Sequence, residues 1–361
     1  MIDQTERSLE PARVRLYSKG VRTMKVLFIG GTGLISRAVS RLAVERGIDL
    51  VLLNRGTRSE AVPEGARVIQ ADIRDPQTEE ILADEAFDVV VDWISFSPEH
   101  TKADIARFLG KTRQFVFISS ASVYQKPMTQ YLITESTPLA NPYWQYSRDK
   151  IESEELLMEA YRRDGFPITI VRPSFTYGDT MIPAALNSWG HPWSLVDRMR
   201  RGKKIIVHGD GTSLWTMTHN TDFAHGFIGL LGNPLAIGHA FHITSDEVLN
   251  WNQIYQIIGQ AAGVTPDLVH IASDFIVAAV PEHEGGLIGD KTPSGVFDNQ
   301  KIKRLVPDYQ AKVSFAEGMR RTIAWFESHP QRMSVDEGWN REMDGILQAY
   351  QAGVEALSRL R

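Results

Sequence analysis

The sequence predicts an α/β protein with a doubly wound parallel sheet and a smaller second domain. Short apolar runs follow one another along the first half of the chain, with helical patterns between several of them. Strands that are buried on both faces of a parallel sheet read as continuous apolar runs, so this pattern favours repeated βαβ units. The later part of the chain is punctuated by proline and glycine, which indicates a less regular domain.

The first βαβ unit begins with the apolar run Lys25–Ile29, which ends at a pair of glycines. A helix is predicted next, because apolar residues recur at helical spacing over positions 35–43. Gly47 is placed to close that helix in the left-handed conformation. A second strand is predicted over residues 49–53.

The alternation continues along the chain. Further strands are predicted over Arg67–Gln70, Phe87–Asp92, 114–119, 168–171 and 240–244, and helices over 195–201, from Trp251 onward and over 315–326.

The composition indicates which kinds of binding partner to expect. The net charge is −5, with acidic and basic residues interspersed, so we expect a small-molecule substrate, no nucleic acid and no membrane. There is no cysteine, which excludes disulfides and thiolate sites and favours the cytoplasm. The ten histidines show no metal-ligand spacing, so no metal is predicted. The sequence leaves a homodimer open.

A glycine-rich turn stands where the first strand meets the first helix. The stretch GGTGLIS at 30–36 lets the backbone approach a pyrophosphate at the positive end of a helix. Ser36 takes the place of the usual third glycine and is small enough to fit with some strain. The residues predicted here to contact a dinucleotide are Gly30, Thr32, Gly33, Leu34 and Ile35.

The end of the second strand bears on the choice of cofactor. Asn54 stands where an acidic residue would hold the ribose hydroxyls, and Arg55 and Arg58, with Arg37 as a third candidate, are placed to pair with a 2′-phosphate. This favours NADP over NAD, although the arginines also fit a solvated surface. Asp72 and Ile73 are placed to meet the adenine, and a turn role for Asp72 is an equal alternative.

Three polar residues form the predicted catalytic set. Tyr146 and Lys150 are four apart on a predicted helix and therefore share one face. An adjacent ammonium and a positive nicotinamide ring would lower the pKa of a phenol, which lets it exchange a proton with a substrate hydroxyl. Ser119 and Ser120 follow a buried strand at the edge where such sheets bind ligands, and Ser120 can hydrogen-bond the reacting oxygen.

From Met24 to about Pro330 the sequence resembles the extended short-chain dehydrogenase/reductase family, the NAD-dependent epimerase/dehydratase group. The resemblance rests on GGTGLIS, SSASVY, YSRDK, VRPSFTYG, GDGTSLWTMTHNTDFA and the C-terminal FDNQKIKRLVPDYQ. It implies that Ser120 is the catalytic serine, that Tyr146 is the acid/base, and that Lys150 tunes Tyr146 and holds the nicotinamide ribose. It also implies a nicotinamide pocket at Pro173, Ser174 and Phe175, and substrate contacts at Ser120, Ser122, Tyr124 and Trp215.

Departures from the family pattern bear on the substrate. Ser122 stands where dehydratases and decarboxylases of the family usually carry an acid. Trp215 and Leu287 replace the arginines that hold a nucleotide diphosphate, so an ordinary nucleotide sugar is disfavoured. Arg198, Arg200 and Arg201 are candidates to replace those arginines, although a solvated helix face is favoured. The chain thus lies nearer the atypical members, which include chloroplast stem-loop RNA-binding relatives.

These motifs divide the chain as follows. Residues 24–178 with about 205–245 are predicted to form a Rossmann-type dinucleotide-binding domain, and about 179–204 with 246–330 a smaller, discontinuous C-terminal substrate domain. Residues 331–361 are predicted to be a helical tail, and residues 1–23, which lack the apolar core of a signal peptide, a disordered extension. The His219 and Asp222 pair is predicted to start a helix at the domain junction.

The resulting hypothesis is an NAD(P)-dependent epimerase or ketoreductase that acts on a secondary alcohol of a sugar or sugar-like molecule. The alternative is a non-catalytic dinucleotide- or RNA-binding protein on the same fold.

Overall fold

A seven-stranded parallel sheet forms the centre of the structure, a computed structural model that describes residues 23–359. The prediction for residues 1–23 lies outside the described part except at Thr23. The strands in chain order are β1 Lys25–Ile29, β2 Asp49–Asn54, β3 Arg67–Gln70, β4 Phe87–Asp92, β5 Thr112–Ile118, β6 Leu132–Ile133, β7 Ile168–Arg172, β8 Phe175–Tyr177, β9 Ile205–His208, β10 Leu214–Trp215, β11 Met217–His219, β12 His239–His242, β13 Leu249–Asn250, β14 Leu268–Ile271 and β15 Val296–Phe297.

Twelve α-helices in the described residues connect and cover these strands. They are α1 Ser36–Glu45, α2 Gln77–Leu82, α3 Pro98–Phe108, α4 Gln145–Asp164, α5 Ser194–Arg200, α6 Asn220–Ile228, α7 Trp251–Ala261, α8 Ser273–Ala279, α9 Glu284–Gly286, α10 Gln300–Leu305, α11 Phe315–Ser328 and α12 Glu337–Ser358. A single π-helical turn, Leu287–Lys291, directly follows α9. Across residues 23–359 no helix is both long and apolar enough to cross a membrane.

The strand order of the sheet is β12-β7-β5-β4-β1-β2-β3, and every neighbouring pair is parallel. The chain runs outward from β1 to β3 and then returns to β4 on the other side of β1. Such a reversal leaves a crevice at the carboxyl ends of β1 and β4, where doubly wound sheets bind ligands. The predicted fold class is confirmed.

Most predicted strands are found within one or two residues of their predicted bounds. The last strand of the sheet was predicted over 240–244 and ends two residues earlier, at His242. Thr244 leaves the ladder because its backbone N–H and its hydroxyl both turn to the side-chain oxygen of Asn299, at 3.3 and 3.0 Å.

Helices cover both faces of the sheet. On one face Val39 of α1 and Phe227 of α6 pack against Phe28 of β1. On the other face Leu157 of α4 packs against Leu27, the neighbouring residue of the same strand. Successive residues of a strand point to opposite faces, so a strand covered on both sides has to be apolar throughout, as this one is.

A further hydrophobic core lies outside the sheet, and two segments pack apart from the domain that the sequence predicts for them. Strand β9 pairs with β14, and its residues Ile205, Ile206 and Val207 are buried in this core, although positions 205–208 were predicted to lie in the dinucleotide-binding domain. Conversely, Ile302 of α10 packs in a core of the sheet, although it was assigned to the substrate domain. An apolar run indicates a buried strand but does not reveal which partner the strand will take.

The predicted C-terminal tail is helical over α12, and it packs on the second core through Trp339, Met343 and Ile346. Arg198 of α5 ties it down, because its guanidinium donates to the Asn340 carbonyl at 3.3 Å and to the Asp344 carboxylate at 2.6 Å. The prediction of a solvated helix face is therefore wrong at Arg198.

Candidate functional site

A cavity of about 900 Å³ opens at the carboxyl ends of β1, β2, β4, β5 and β7. All the residues that were predicted to contact the cofactor line this cavity, except the third candidate arginine, Arg37. These residues are Gly30, Thr32, Gly33, Leu34, Ile35, Asn54, Arg55, Arg58, Asp72, Ile73, Ser119, Tyr146, Lys150, Pro173, Ser174 and Phe175. Of the predicted substrate contacts, Ser120, Ser122 and Trp215 line the cavity and Tyr124 does not.

The glycine-rich turn depends on backbone that other residues rarely adopt. Gly31 has a φ of 88°, and a Cβ added there would lie 2.7 Å from a methyl carbon of Leu52. Ser36, in the position of the third glycine, is buried and accepts a hydrogen bond from the Gly33 N–H at 2.8 Å. The serine hydroxyl thus holds the turn at the N-terminus of α1, where free backbone N–H groups favour an anion.

Five polar side-chain atoms of residues on this lining are buried without a hydrogen-bond partner in the described residues. They are Asn54 Nδ2, Trp93 Nε1, Ser119 Oγ, Ser174 Oγ and Trp215 Nε1. A buried polar group without a partner is costly, and a ligand rich in hydroxyl and phosphate oxygens offers acceptors to such groups. Together with the glycine-rich turn, these atoms make the cavity fit a dinucleotide.

The adenosine end of the cavity combines basic groups with a single acid. Arg55 is exposed and lies 4.0 Å from the Asp72 carboxylate, a loose pair that leaves its guanidinium free to turn. Asp72 also accepts from the Arg74 N–H at 3.0 Å, so it takes the turn role while still lining the cavity. Arg37 donates to the Thr180 hydroxyl and is not among the lining residues.

Lys150 lies beneath the cavity floor on the same face of α4 as Tyr146. Its ammonium donates to the backbone carbonyls of Ser95 at 2.5 Å and Ile118 at 2.7 Å, and it lies 5.8 Å from the centre of the Tyr146 ring. Burial lowers the pKa of Lys150 to about 8, against the opposing charges of Asp92 and Glu154.

The Tyr146 phenol lies close to Ser120 and Asp290. Burial raises the pKa of Tyr146 above its ordinary value, the Ser120 hydroxyl opposes that shift, and the Asp290 carboxylate adds to it. The chain's own groups therefore do not produce the lowered pKa that was expected from the neighbouring lysine. That lowering would require the positive ring of a bound nicotinamide.

A chain of hydroxyl groups, which the sequence analysis missed, supports Ser120. The Ser120 and Ser122 hydroxyl oxygens lie 2.9 Å apart, and Ser147 donates to the Ser122 hydroxyl at 2.8 Å. Asn141 fixes the same segment by donating to the Ser122 carbonyl at 2.7 Å. Ser147 directly follows Tyr146, and its place on the buried face of α4 was the available signal.

Tyr124 was predicted to touch the substrate, and the structure corrects this. Its side chain is fully buried away from the cavity, and its hydroxyl lies 3.0 Å from His242 Nδ1. His242 Nε2 donates to the Asp298 carbonyl at 2.7 Å, so the neutral ring accepts from the tyrosine at Nδ1. The Tyr124 ring also lies 5.0 Å from the Arg172 guanidinium, which gives it a packing role.

The other predicted polar residues lie outside the cavity. Arg198, Arg200 and Arg201 pair with acids on α5, α11 and α12 and do not line the cavity, so they do not replace the missing diphosphate arginines. His219 caps α6, and Asp222 accepts from the backbone of Lys312 and Val313, as predicted for a junction. In residues 23–359 no cluster of three or more histidine, aspartate or glutamate side chains has a metal-binding arrangement.

Comparisons with known proteins identify a family whose model matches this chain, and several proteins of similar sequence. The family model for NAD-dependent epimerases and dehydratases matches residues 26–244. A 2′-dehydrokanamycin reductase of Streptomyces kanamyceticus is 26% identical over 295 residues, which are 80% of this chain and 81% of that protein. The chloroplast stem-loop binding protein of 41 kDa b of Arabidopsis thaliana is 25% identical over 282 residues, which are 74% of this chain and 71% of that protein.

Solved structures share the fold. An epimerase of Methanothermobacter thermautotrophicus superposes with a TM-score of 0.71 at 18% identity, over 86% of this chain and 94% of that one. A UDP-glucuronic acid 4-epimerase of Bacillus cereus in complex with NAD superposes with a TM-score of 0.67 at 19% identity, over 84% of this chain and 99% of that one.

Proposed function

The chain belongs to the NAD-dependent epimerase/dehydratase family, and on that premise we propose that it is an NAD(P)-dependent epimerase or ketoreductase. Its substrate is the secondary alcohol, or the matching ketone, of a sugar or sugar-like molecule. Ser120, Tyr146 and Lys150 carry the reaction.

One observation carries this proposal. The glycine-rich turn at the start of α1 and the three polar side chains Ser120, Tyr146 and Lys150 line the same cavity, although they come from separate parts of the chain. A buried lysine beside a half-buried tyrosine is costly in a cavity that has no use for them. The arrangement supports proton transfer beside a dinucleotide.

The roles of the side chains follow from their chemistry. A bound NAD(P) supplies the hydride donor or acceptor. Tyr146 holds a proton at its phenol oxygen and exchanges it with the oxygen on the reacting carbon. The Ser120 hydroxyl, held by Ser122, hydrogen-bonds that oxygen and orients it. Lys150 supplies positive charge beneath the phenol and lies at the cavity floor, where it can hold the nicotinamide ribose.

The type of reaction follows in part from Ser122. A dehydratase or decarboxylase of this family would carry an acid there, whereas Ser122 only passes hydrogen bonds between Ser120 and Ser147. This supports epimerisation or net reduction. An epimerase keeps its cofactor through the cycle and a reductase exchanges it at each turnover, so the cofactor content of the purified protein separates the two.

The test of the proposed function is a turnover screen. The full chain is incubated with free sugars, glycosides, nucleotide sugars and their keto forms, together with oxidised or reduced NAD(P), while the absorbance of the reduced cofactor and the sugar products are followed. We expect at least one sugar-class substrate to turn over. Binding of the dinucleotide without any turnover would favour the non-catalytic alternative.

That alternative has one observation in its favour, the likeness to a chloroplast protein named for stem-loop binding. The net charge of −5 opposes it, because RNA binding draws mainly on positive charge. We expect no binding of a structured RNA hairpin at physiological salt, as measured by a gel-shift titration.

For the cofactor, we propose that NADP(H) is preferred over NAD(H). The preference is supported by Asn54, which replaces the usual carboxylate, and by Arg55 and Arg58 on the adenosine end of the cavity. We expect Arg55→Ala to weaken NADP(H) by about tenfold or more and to leave NAD(H) almost unchanged, because a charge-assisted hydrogen bond contributes roughly 1.5–3 kcal/mol. Calorimetric titration of both cofactors measures this.

The matched control is Arg113→Ala, which removes an exposed arginine at the start of β5, away from the cavity. It is expected to change neither affinity. A wild-type preference for NAD(H), or an equal loss of both cofactors in Arg55→Ala, would remove Arg55 from recognition of the 2′-phosphate.

A further inference from the structure

Three charged side chains line the cavity beside the proposed reacting phenol. Lys126, Asp290 and Lys291 all face the same space as Tyr146, and the Asp290 carboxylate is close enough to raise the pKa of the Tyr146 phenol. The proposed cofactor contacts and the proposed proton transfer do not use them.

Lys126 has an incomplete set of partners. Lys126 is only 5% exposed, and among the described residues the one hydrogen-bond partner of its ammonium is the Met128 sulfur, at 3.5 Å. A thioether is a weak acceptor, and within residues 23–359 no carboxylate lies within 4.0 Å of this ammonium. Burial lowers the pKa of Lys126, which reflects the cost of holding this charge in the cavity wall.

Lys291 is held at the same place by an unusual turn. It ends the π-helical turn, a rare geometry that is frequent at functional sites. Its carbonyl accepts from His208 Nε2 at 3.0 Å and from the Trp251 indole at 3.2 Å, so its backbone is fixed. Its ammonium contacts the Asp290 carboxylate at 2.8 Å and lies 5.0 Å from the centre of the Phe175 ring.

The turn is also clamped to the catalytic serine segment. One amide nitrogen, Asn141 Nδ2, donates to the Ser122 carbonyl and to the Gly289 carbonyl, each at 2.7 Å. The approach at this point is close, since a Cβ added to Gly289 would lie 3.2 Å from the Tyr143 Cβ and 3.3 Å from the Asn141 side-chain oxygen. Lys291 therefore keeps a set position relative to Ser120 and Tyr146.

The balance of charge among these three side chains indicates which class of ligand the cluster would bind. Asp290 pairs with Lys291 and also favours the charged form of Lys126, so among the described residues the two ammonium groups share one carboxylate and one positive charge is left over. A cationic substrate such as a polyamine sugar would meet that charge directly, and a neutral sugar would leave it unpaired. A carboxylate or a phosphate would complete the cluster with a charge-assisted hydrogen bond.

We propose that Lys126 and Lys291 form an anion subsite that binds a carboxylate or phosphate group carried by the substrate close to its reacting carbon. This inference rests on the proposed function, because it places the anion next to the carbon that Tyr146 serves. The chain would then select acidic sugars over neutral and amino sugars.

The test is a binding titration of the full chain saturated with oxidised NADP. The probes are D-glucuronate, which carries a carboxylate, α-D-glucose 1-phosphate, which carries a phosphate, and D-glucose as the neutral match. We expect at least one anion to bind about tenfold or more tightly than glucose, and which of them does so distinguishes carboxylate from phosphate. Lys126→Met should abolish that advantage, and Lys126→Arg should keep most of it.

Two controls make the outcome decisive. Lys102→Met removes an exposed lysine on α3 and should leave the anion preference intact. If Lys126→Met does not fold, the wild-type comparison still decides. Equal binding of glucose and both anions, or a full anion preference in folded Lys126→Met, would overturn the subsite. Failure to bind NADP would instead count against the proposed function, and the anion titration can then be run on the chain alone.

Discussion

Replacing Tyr146 by phenylalanine is expected to lower turnover by about 10²-fold or more, the usual contribution of a positioned acid/base. The change removes one oxygen and keeps the ring, which packs 5.0 Å from the Trp144 ring. Cofactor binding and folding should therefore remain close to wild type. Steady-state kinetics on the substrate identified by the screen measures turnover, and calorimetry measures cofactor affinity.

The matched control is Tyr143→Phe. Tyr143 lies three residues earlier in the same segment, is half-buried, and does not line the cavity. It undergoes the same chemical change, so a comparable loss of turnover in both variants would indicate a general effect of losing a phenol here. Unchanged turnover in Tyr146→Phe would remove Tyr146 from the mechanism.

The pKa of Tyr146 predicts how turnover depends on pH. Burial holds this phenol in its protonated form at neutral pH, so before a positive cofactor ring arrives it is ready to donate a proton. Reduction of a ketone requires such a donor, whereas oxidation of an alcohol requires the phenolate. We expect the rate of reduction to be highest at neutral or lower pH and the rate of oxidation to rise with pH, as pH profiles of the two directions would measure.

The parts of the site that come from contiguous motifs were predictable. The glycine-rich turn, the serine that follows β5, and the tyrosine and lysine on α4 each depend on local spacing, and each lies at the carboxyl end of a strand or at the start of a helix. The parallel sheet brings these ends to one edge, so predicting the sheet also predicted the residues that meet there.

Other parts were not predictable, for physical reasons. Tyr124 closely follows Ser120, but the 3₁₀ turn Ala121–Val123 lies between them, and the tyrosine ring is buried. Lys126 and Lys291 line the same cavity, and Asn141 links the distant π-helical turn to the serine segment. Periodicity and spacing carry no signal for such a contact, because it depends on how the second core packs against the sheet.

Lys150→Met is expected to lower turnover by roughly 10²-fold and to weaken cofactor binding by about tenfold. The reason is that one ammonium serves both the phenol and the proposed ribose contact, whereas methionine keeps the volume of the side chain without its charge. Kinetics and calorimetry on the same preparations separate the two effects. A loss of turnover with unchanged cofactor affinity would mean that the ribose contact is wrong.

Although Lys150→Met is expected to lower turnover and cofactor affinity, it should not lower the stability of the fold. Its pKa is about 8 in the folded chain, below its ordinary value, so the unfolded chain binds this proton more tightly and the charge opposes folding at pH 7. The contribution of Lys150 to the free energy of unfolding of the wild type therefore increases between about pH 8 and pH 10, because the folded chain loses the proton at a lower pH than the unfolded chain does. Lys150→Met should unfold at pH 7 with a free energy no lower than wild type, as measured by denaturant titration.

The pKa of Lys150 also predicts how the affinity for the cofactor depends on pH. In wild type the ammonium loses its proton as the pH rises through about 8, so affinity for the cofactor should fall from about pH 7 to about pH 9. Lys150→Arg stays charged over that range and should show no such fall, while Lys102→Met, an exposed lysine variant, should follow wild type. An identical pH dependence in wild type and Lys150→Arg would show that another group controls the binding, and Lys150 would then have a structural role at the carbonyls of Ser95 and Ile118.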